Sequence, residues 1–395
     1  MKITLNKEFY YQLFFTLCVI IPFFNNYELS FVTWLIALGL TFKKSYSVSF
    51  IRYVSYFIFI FILALVVGYF YQYRQYFVIR DITYLLKPIL GLFLGYQFFS
   101  PQIKNPFKFL LMAGLVMAII HLSMVGYGIL IHNAKSVAEI RKYGGYFNDY
   151  EIYAFIILLF HKKFEISLSQ KKFRIYFIVM ALSTFFYLAR TNFIQFVILF
   201  LAMKGWLILN KKSLVVLGSI ILVSILSYSA IYVYNPKRNG NSVDEFLYKI
   251  KLIPIEAFAT KINRNDWKDF HDHYRSYENV RTIEQLSYNN SLIFGEGMGS
   301  QVDLKQKVRL GDMDLRYISI LHNGYMTILL KTGILGVLLL LGSIFYFFKK
   351  NTHLNELENN VNLLFIGTGL FLLISYWVFM GFYNLLDSKT LLIGF

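Results

Sequence analysis

The stretch from Ile51 to Gln72, IRYVSYFIFIFILALVVGYFYQ, decides the fold class of this chain. Its only charged side chain is Arg52, which lies at the beginning of the stretch. A helix needs about 20 predominantly apolar residues to cross the hydrocarbon core of a bilayer. The stretch therefore predicts a transmembrane helix.

Similar apolar runs recur along the whole chain. They lie near residues 9–24, 29–42, 51–72, 82–99, 107–131, 150–161, 173–189, 191–209, 213–234, 323–348 and 361–382. The composition agrees with a membrane protein, because 57% of the 395 residues are apolar and 15% are charged, whereas soluble proteins carry about 25% charged residues. We expect an all-α polytopic membrane protein of about 11–12 transmembrane helices. The tail, Asn384–Phe395, is a candidate partial twelfth element.

The formal net charge of +17 does not indicate a nucleic-acid-binding protein. The basic residues are scattered between apolar runs and form no continuous basic face, so no nucleic acid is expected as a partner. The single cysteine, Cys18, excludes an internal disulfide and a cysteine-based metal site. The first apolar run lacks a small-residue cleavage site, so we interpret it as the first helix and not as a signal peptide.

Positive charge is divided unevenly between the two sets of alternate loops. Cytoplasmic loops of membrane proteins carry an excess of Lys and Arg. We therefore expect the N-terminus in the cytoplasm and the long loop, residues 235–321, outside it. The poorer set of loops holds Arg74, Arg80, Lys135, Arg141 and Lys142, and the richer set holds Lys2, Lys7, Lys43, Lys44, Arg52, Lys104, Lys108, Lys162, Lys163, Lys171, Lys172, Arg174, Lys211, Lys212, Lys349 and Lys350.

The long loop differs in kind from the rest of the chain. It contains 12 of the 22 acidic residues and 13 of the 39 basic ones, a near balance that predicts a folded, water-facing element. Segments 243–253 and 279–288 show the helical spacing of apolar residues. We expect an N-terminal transmembrane bundle (1–234), an extracytoplasmic loop (235–321) and C-terminal transmembrane helices (322–395), which form one structural domain with a cap.

His322 lies where the loop meets the next span, in the sequence Leu321–Tyr325. A neutral imidazole at a water-accessible membrane boundary is suited to act as a general base. Gly333 and Gly336 follow, one helical turn apart, and would let a neighbouring helix approach closely. The alternative is an interfacial histidine followed by an ordinary packing motif.

Arg190 stands between two apolar runs with almost no loop between them. An arginine near hydrocarbon needs a partner or an aqueous cavity. Its planar guanidinium could clamp phosphate oxygens with two parallel hydrogen bonds. The alternative is an arginine that extends its side chain from a helix end towards water.

Gly295, Gly297 and Gly299 form a glycine-rich turn within residues 292–300. Their spacing does not match a dinucleotide-binding fingerprint, which also needs a strand and a helix around it. Such a turn lets the backbone approach a ligand or pack tightly against the membrane helices. A plain turn is the alternative.

Other polar residues carry weaker signals. His271 and His273 lie two residues apart, but their spacing implies no third metal ligand. Solvated side chains are expected for Arg264, Arg275, Arg309 and Arg316, and ion pairs at span ends are expected for Asp81, Lys87, Asp149 and Glu151.

The order and spacing of these residues resemble the O-antigen ligase and O-antigen polymerase (Wzy) superfamily. His322 and a polar residue, then residues 324–332, then Gly333-Ile334-Leu335-Gly336, match the family's histidine motif without a gap. The turn at 295–299 resembles the family's Gly-x-Gly-x-Gly turn, and Arg281 its upstream loop arginine. Arg190 resembles the arginine that closes a span, although Ala189 replaces the usual serine. The resemblance covers residues 173–348 well.

The resemblance implies a glycosyltransferase of the bacterial cytoplasmic (inner) membrane that polymerises undecaprenyl-diphosphate-linked oligosaccharides into O-antigen or capsule-type polysaccharide. Such enzymes need no metal and no cofactor, and direct attack would invert the anomeric centre. His322 would serve the acceptor, and Arg190 and Arg281 the departing diphosphate. The residues implied in substrate binding are Asn323, Tyr325, Gly295, Gly297, Gly299 and Arg275.

The partners implied are a lipid-linked donor, a lipid-linked acceptor and membrane lipid, and a chain-length regulator protein is a further candidate. Overall size and richness in Lys, Ile, Phe and Tyr resemble a polymerase. An O-antigen ligase that loads glycan onto lipid A core, or an enzyme that loads it onto protein, uses the same motif. From a different class, a lipid-linked glycan transporter or flippase is the main alternative, but we find no internal repeat of the kind that transporters show. A pure scaffold is the third.

Overall fold

The computed structural model describes residues 7–24, 26–99, 103–145, 148–208, 211–237, 273–310, 313–349 and 354–395, together with 244, 247, 248, 250–252, 262 and 270. Most of the chain is helical. Of the expected helix at 243–253, residues 244, 247, 248 and 250–252 are described and are helical, and the other five lie outside the described residues. His271 and Arg264 fall outside them entirely.

Helices follow one another along most of the described chain. Asn26, Ser47, Asn105, Asn148 and Ser169 each accept a hydrogen bond from the backbone N–H three residues on, as N-cap residues do. The bundle helices are α1 (Lys7–Ile20), α2 (Tyr27–Leu40), α3 (Val48–Tyr71), α4 (Gln75–Phe98), α5 (Pro106–His132), α6 (Val137–Gly144), α7 (Asp149–Leu159), α8 (Gln170–Phe186), α9 (Arg190–Met203) and α10 (Lys211–Tyr234). Beyond them lie α11 (Tyr274–Tyr288), strands β1 (Val302–Leu310) and β2 (Met313–Ile318), and helices α12 (Gly324–Phe345), α13 (Glu356–Val378) and α14 (Lys389–Gly394).

Four described segments are long and apolar enough to cross a membrane: Val48–Tyr71, Pro106–His132, Gly324–Phe348 and Glu356–Val378. Shorter apolar helices are Glu8–Phe24, Tyr27–Leu40, Arg190–Met203 and Ile221–Tyr234. These helices are compatible with an integral membrane protein. Each apolar run of the sequence coincides with a helix, while the number of helices that cross the membrane stays a prediction.

The helices pack around two connected apolar cores. One lies among α1, α4, α5 and α7, and the other among α3, α4, α12 and α13. The tail forms the six-residue helix α14, which is buried and packs along α4. Gly91 and Gly95 of α4 make this contact possible, because a Cβ at either position would overlap Thr390 or the carbonyl oxygen of Leu391.

The charged side chains that were expected at span ends are buried within the bundle, and Lys87 lies in the middle of α4 and not at its end. Asp81 pairs with Lys331 across a distance of 2.6 Å. Asp149 pairs with Lys389 of the tail. Lys87 donates to the backbone carbonyl of Asp387 at 2.7 Å and to that of Asn384. Glu151 differs from the expectation of an ion pair, because its carboxylate accepts a hydrogen bond from the hydroxyl of Tyr187 at 3.1 Å.

We call residues 273–321 the cap. Its α11 packs on the antiparallel hairpin β1–β2 around a separate apolar core of Tyr274, Tyr277, Leu286, Val302, Leu304 and Ile318. The sequence analysis did not predict this hairpin. Arg316, expected to be solvated, binds both carboxylate oxygens of Asp303 at 2.9 and 3.0 Å, and this contact holds the pKa of Asp303 below its usual range.

Candidate functional site

His322 lies at the junction of the cap and α12, directly before the N-cap residue Asn323. Its Nδ1 is 3.0 Å from Oε1 and 3.1 Å from Oε2 of Glu278 on α11. The backbone N–H of His322 also donates to Oε2 of Glu278, at 3.0 Å. The His322 side chain is 40% exposed and that of Glu278 is 1% exposed. Within the described chain, Nε2 of His322 has no hydrogen-bond partner.

The aromatic ring of Tyr274 packs against the side chain of His322. Its ring meets the imidazole of His322 edge to face, with the ring centroids 5.7 Å apart and the planes at 87°. Burial and the neighbouring carboxylate of Glu278 raise the pKa of the Tyr274 hydroxyl, so this side chain stays neutral. Ring packing and the carboxylate together restrict the orientation of the imidazole.

Arg281 lies one helical turn beyond Glu278 on α11. Its Nε donates to the carbonyl oxygen of Asp303 at 3.3 Å, and its Nη1 pairs with Glu284. The side chain is mostly buried, whereas Glu284 is exposed. The helix α11 carries Arg281 itself. Through the carboxylate of Glu278, the same helix also contacts the imidazole of His322.

The glycine turn is joined to a break in α12. Gly333 has φ +63° and ψ −164°, so the helix is interrupted there. The carbonyls of Leu330 and Lys331 accept hydrogen bonds from the N–H groups of Glu296 and Gly297, at 2.8 and 3.0 Å. In the opposite direction, the N–H of Ile334 donates to the carbonyl of Leu292 at 2.9 Å. The turn thus satisfies backbone groups that the break leaves without helical partners.

Three positive φ angles allow this turn to press against the bundle: +72° at Gly295, +77° at Gly297 and +92° at Gly299. A Cβ at Gly295 would lie 2.6 Å from the backbone nitrogen of Gly333, and a Cβ at Gly297 would overlap the backbone of Gly68. Tight packing against the helices, one of the two expected roles, is therefore observed. Ligand binding by these glycines stays a prediction.

The Gly333 and Gly336 pair differs in detail from the expectation. The backbone of the turn at Ile293, and not a neighbouring helix, approaches Gly333. Gly336 packs against Thr332 of its own helix. The motif therefore provides a helix break with an inserted turn.

A buried ion pair connects the glycine turn and α12 to the rest of the bundle. Lys331 donates to Oδ2 of Asp81 at 2.6 Å and to the carbonyl of Ser300 at 2.6 Å, and the N–H of Gly299 donates to Oδ2 of Asp81 at 2.7 Å. The side chains of both charged residues are fully buried. This contact connects α4, α12 and the end of the turn, so the cap is held on the bundle.

Arg190 is the first residue of α9, and its side chain is exposed. Within the part of the chain that the structure describes, it has no ion pair or hydrogen-bond partner. The structure shows no contact between Arg190 and Arg281 or His322. Arg281 lies on the same helix as Glu278, the residue that contacts His322, whereas Arg190 lies on α9.

The remaining expected residues have structural contacts. Asn323 caps α12 by accepting a hydrogen bond from the N–H of Met326 at 3.2 Å, and its buried Nδ2 has no partner among the described residues. Tyr325 donates to the carbonyl of Leu373 on α13 at 3.2 Å. Arg275 lies half-buried on α11. His273 directly precedes α11, and no three His, Cys, Asp or Glu of the described residues are grouped to hold a metal ion.

Glu278 is the site residue that the sequence analysis missed. The available signal was its position three residues before Arg281, on the same face of a segment with helical spacing. The spacing of apolar residues predicted a helix at 279–288, and the observed helix begins at Tyr274. Only the contact with His322, 44 residues further along the chain, shows why this glutamate matters.

Comparison with known proteins adds no assignment. No protein-family model, no curated protein sequence and no solved structure matches this chain.

Proposed function

We propose that this chain is a metal-independent glycosyltransferase that polymerises undecaprenyl-diphosphate-linked oligosaccharide repeat units at the outer face of the bacterial cytoplasmic membrane. The observation that carries the proposal is the placement of His322. Its imidazole is half-exposed at the junction of the cap and an apolar helix, and its Nε2 has no hydrogen-bond partner among the described residues. That position suits a base that serves a hydroxyl group presented from water to a lipid-anchored donor.

The chemistry is a single displacement. The acceptor hydroxyl oxygen attacks the anomeric carbon of the donor sugar, and the bond from that carbon to the diphosphate oxygen breaks. The proton of the hydroxyl moves to Nε2 of His322, and the bonding electrons leave with the diphosphate. Attack opposite to the leaving group inverts the anomeric configuration.

The departing diphosphate gains negative charge and needs cations arranged beforehand. Arg281 is held in place by the carbonyl of Asp303, and Arg190 is an exposed guanidinium without a partner among the described residues. Both suit an anionic group, since a guanidinium binds phosphate oxygens with a planar fork. The apolar faces of the bundle would hold the polyprenyl chain.

Two features of the sequence support the orientation in the membrane. The excess of Lys and Arg in alternate loops favours a cytoplasmic N-terminus. The near balance of charge in the long loop favours a folded, water-facing element, and the alternation of spans from a cytoplasmic N-terminus would put this loop on the extracytoplasmic side. In this orientation Arg190, the first residue of α9, and His322, which directly precedes the N-cap of α12, would lie at the outer ends of those helices, and Arg281 would lie in the middle of α11 in the cap.

The test is product formation by the purified protein. Lipid-linked repeat units, extracted from cells that carry this gene, should become a ladder of longer glycans in detergent, without a gradient and in the presence of EDTA. The His322→Ala variant should be slower by about 10²–10⁴-fold, because the base is lost.

Other outcomes distinguish the alternatives. Product that forms only when lipid A core or a protein acceptor is supplied would indicate a ligase. Movement of the lipid-linked unit across proteoliposome membranes, with no glycosidic bond formed, would indicate a transporter. Either result would overturn the polymerase assignment.

A further inference from the structure

We infer that Glu278 is a positioning residue that orients His322 and fixes its tautomer, so that Nε2 is the atom that takes the proton. This inference rests on the proposed function for its catalytic meaning. It adds a residue that the resemblance to a known family did not supply.

Both oxygens of Glu278 are directed at one residue. Oε1 is 3.0 Å from Nδ1 of His322, and Oε2 accepts the backbone N–H of His322 at 3.0 Å. The hydrogen bond from the backbone N–H fixes the position of the main chain at His322, and the contact to Nδ1 fixes the orientation of the imidazole ring. An exposed histidine on its own would rotate freely between side-chain conformers.

The carboxylate also selects the proton positions on the ring. An ionised carboxylate only accepts hydrogen bonds, so Nδ1 of His322 must carry the hydrogen. A neutral imidazole with hydrogen on Nδ1 has its lone pair on Nε2. When Nε2 then takes a proton, the imidazolium stands against a buried negative charge, which stabilises it.

Two side chains of α11 contact the imidazole of His322. The carboxylate of Glu278 contacts Nδ1, and the ring of Tyr274 packs against the imidazole edge to face and stays neutral. Of these two side chains, Glu278 is the one that can carry a charge next to the ring.

A purely structural role for Glu278 is the competing explanation, since its carboxylate also joins α11 to the start of α12. The two explanations differ in pH dependence. If Glu278 acts through the ring, its neutralisation should change the pH at which His322 takes up a proton. If it only holds the two helices together, the rate should fall without such a change.

The experiment compares Glu278→Gln with the unmodified protein in the polymerisation assay across pH. We expect a rate about 10–100-fold lower, as is typical when the group that orients a histidine is lost. The acidic limb of the pH–rate profile should move to lower pH, because the imidazolium loses its neighbouring charge. Binding of an undecaprenyl diphosphate analogue should be unchanged. The matched control is Asp314→Asn, which removes an exposed carboxylate from β2 and should alter neither readout.

The Glu278→Asp variant is the control for a possible folding defect in Glu278→Gln. It keeps the charge, so its acidic limb should stay close to that of the unmodified protein even if its rate is lower. A lower rate for Glu278→Gln with an unmoved limb would overturn the inference and leave a structural role. So would loss of analogue binding in both variants.

A second readout does not need turnover, and it separates the inference from the proposed function. Diethyl pyrocarbonate modifies a neutral imidazole, and the His322→Ala variant identifies the signal that belongs to His322. Modification should begin at lower pH in Glu278→Gln than in the unmodified protein. If the unmodified protein makes no polymer but this shift is seen, the proposed function fails and the inference stands. If polymer forms but the shift is absent, the inference fails and the function stands.

Discussion

Arg190 and Arg281 carry the same charge in different surroundings. The guanidinium of Arg281 has already used its Nε on a carbonyl and its Nη1 on Glu284, so only part of its donor set is left for a ligand. Arg190 is exposed, and no described residue pairs with it. An anion at Arg281 must therefore displace or add to existing contacts, whereas an anion at Arg190 meets a guanidinium whose donors are not used by any described residue.

Replacing either arginine by lysine keeps the charge and removes the fork. We expect Arg190→Lys and Arg281→Lys each to weaken binding of an undecaprenyl diphosphate analogue by about 10–100-fold, since hydrogen bonds to charged groups contribute about 1.5–3 kcal/mol. Polymerisation should be severely impaired in both. His322→Ala should bind the analogue normally, because its imidazole faces the acceptor. Equilibrium binding and gel analysis of chain length provide the two readouts.

The control for this pair is Arg309→Lys, an exposed residue on β1. It should leave both readouts unchanged. Normal binding in both Arg190→Lys and Arg281→Lys would place the diphosphate elsewhere.

Among the elements, the broken helix α12 and the glycine turn depend on each other. The turn supplies donors and acceptors to the break at Gly333, and the break opens the space that the turn occupies. Inside a membrane these backbone hydrogen bonds between the turn and the break are required, because a backbone group without a hydrogen-bond partner costs several kcal/mol there. The element that carries the histidine is thus held in place by a segment about 30 residues earlier in the chain.

Gly297→Ala tests this dependence. The added Cβ would overlap the backbone of Gly68 on α3, and alanine disfavours a φ of +77°. We expect the variant to lose about 2–5 kcal/mol of stability from strain and overpacking. Thermal unfolding followed by size-exclusion chromatography in detergent would show this as a lower midpoint.

Gly39→Ala is the matched control, because nothing lies within 4 Å of its added Cβ on α2. Alanine in a helix is favoured over glycine by about 0.5–1 kcal/mol, so this variant should be as stable as the unmodified protein or more so. Equal midpoints for the two variants would contradict the packing of the turn on α3.

The elements also show what the sequence can predict. Apolar runs of about 20 residues located the helices, because burial in lipid requires such runs from every spanning segment. The hairpin was missed, although Val302, Leu304 and Val308 are buried and Lys305 and Lys307 are exposed. The register shift between Asp303 and Val308 and the polar Gln306 interrupt the alternation, so the signal for a strand is weak.

The candidate site was predicted in part for a different reason. His322, Arg281 and the glycines were found because their order and spacing match a motif. Glu278 and Lys331, the partner of Asp81, were not, since each gains its role from a contact with a residue far away in the sequence. The break at Gly333 was read as a helix contact for the same reason, because its partner lies at Ile293.

At the scale of the whole molecule, cap and bundle share one set of contacts. Leu330 of α12 belongs to the apolar core of the cap, the glycine turn presses on α3, and the Asp81–Lys331 pair joins α4 to the end of that turn. The side of the membrane on which the cap lies therefore fixes the side of the candidate site. Orientation is the property of the whole chain on which the proposed function depends most.

Orientation can be tested with single cysteines, because Cys18 is the only natural cysteine and is buried. Ser287→Cys places a thiol on an exposed position of α11, and Ser45→Cys places one in the exposed connection between α2 and α3. Both substitutions are nearly isosteric and leave the charge distribution unchanged. A membrane-impermeant maleimide added to intact cells (spheroplasts, if an outer membrane is present) should label the cysteine at 287 and not the one at 45. After the membrane is disrupted, both should be labelled, while the unmodified protein with Cys18 alone should stay unlabelled. Labelling of both sites in intact cells, or of position 45 alone, would contradict the cytoplasmic N-terminus and move His322 away from the face where the proposed donor is used.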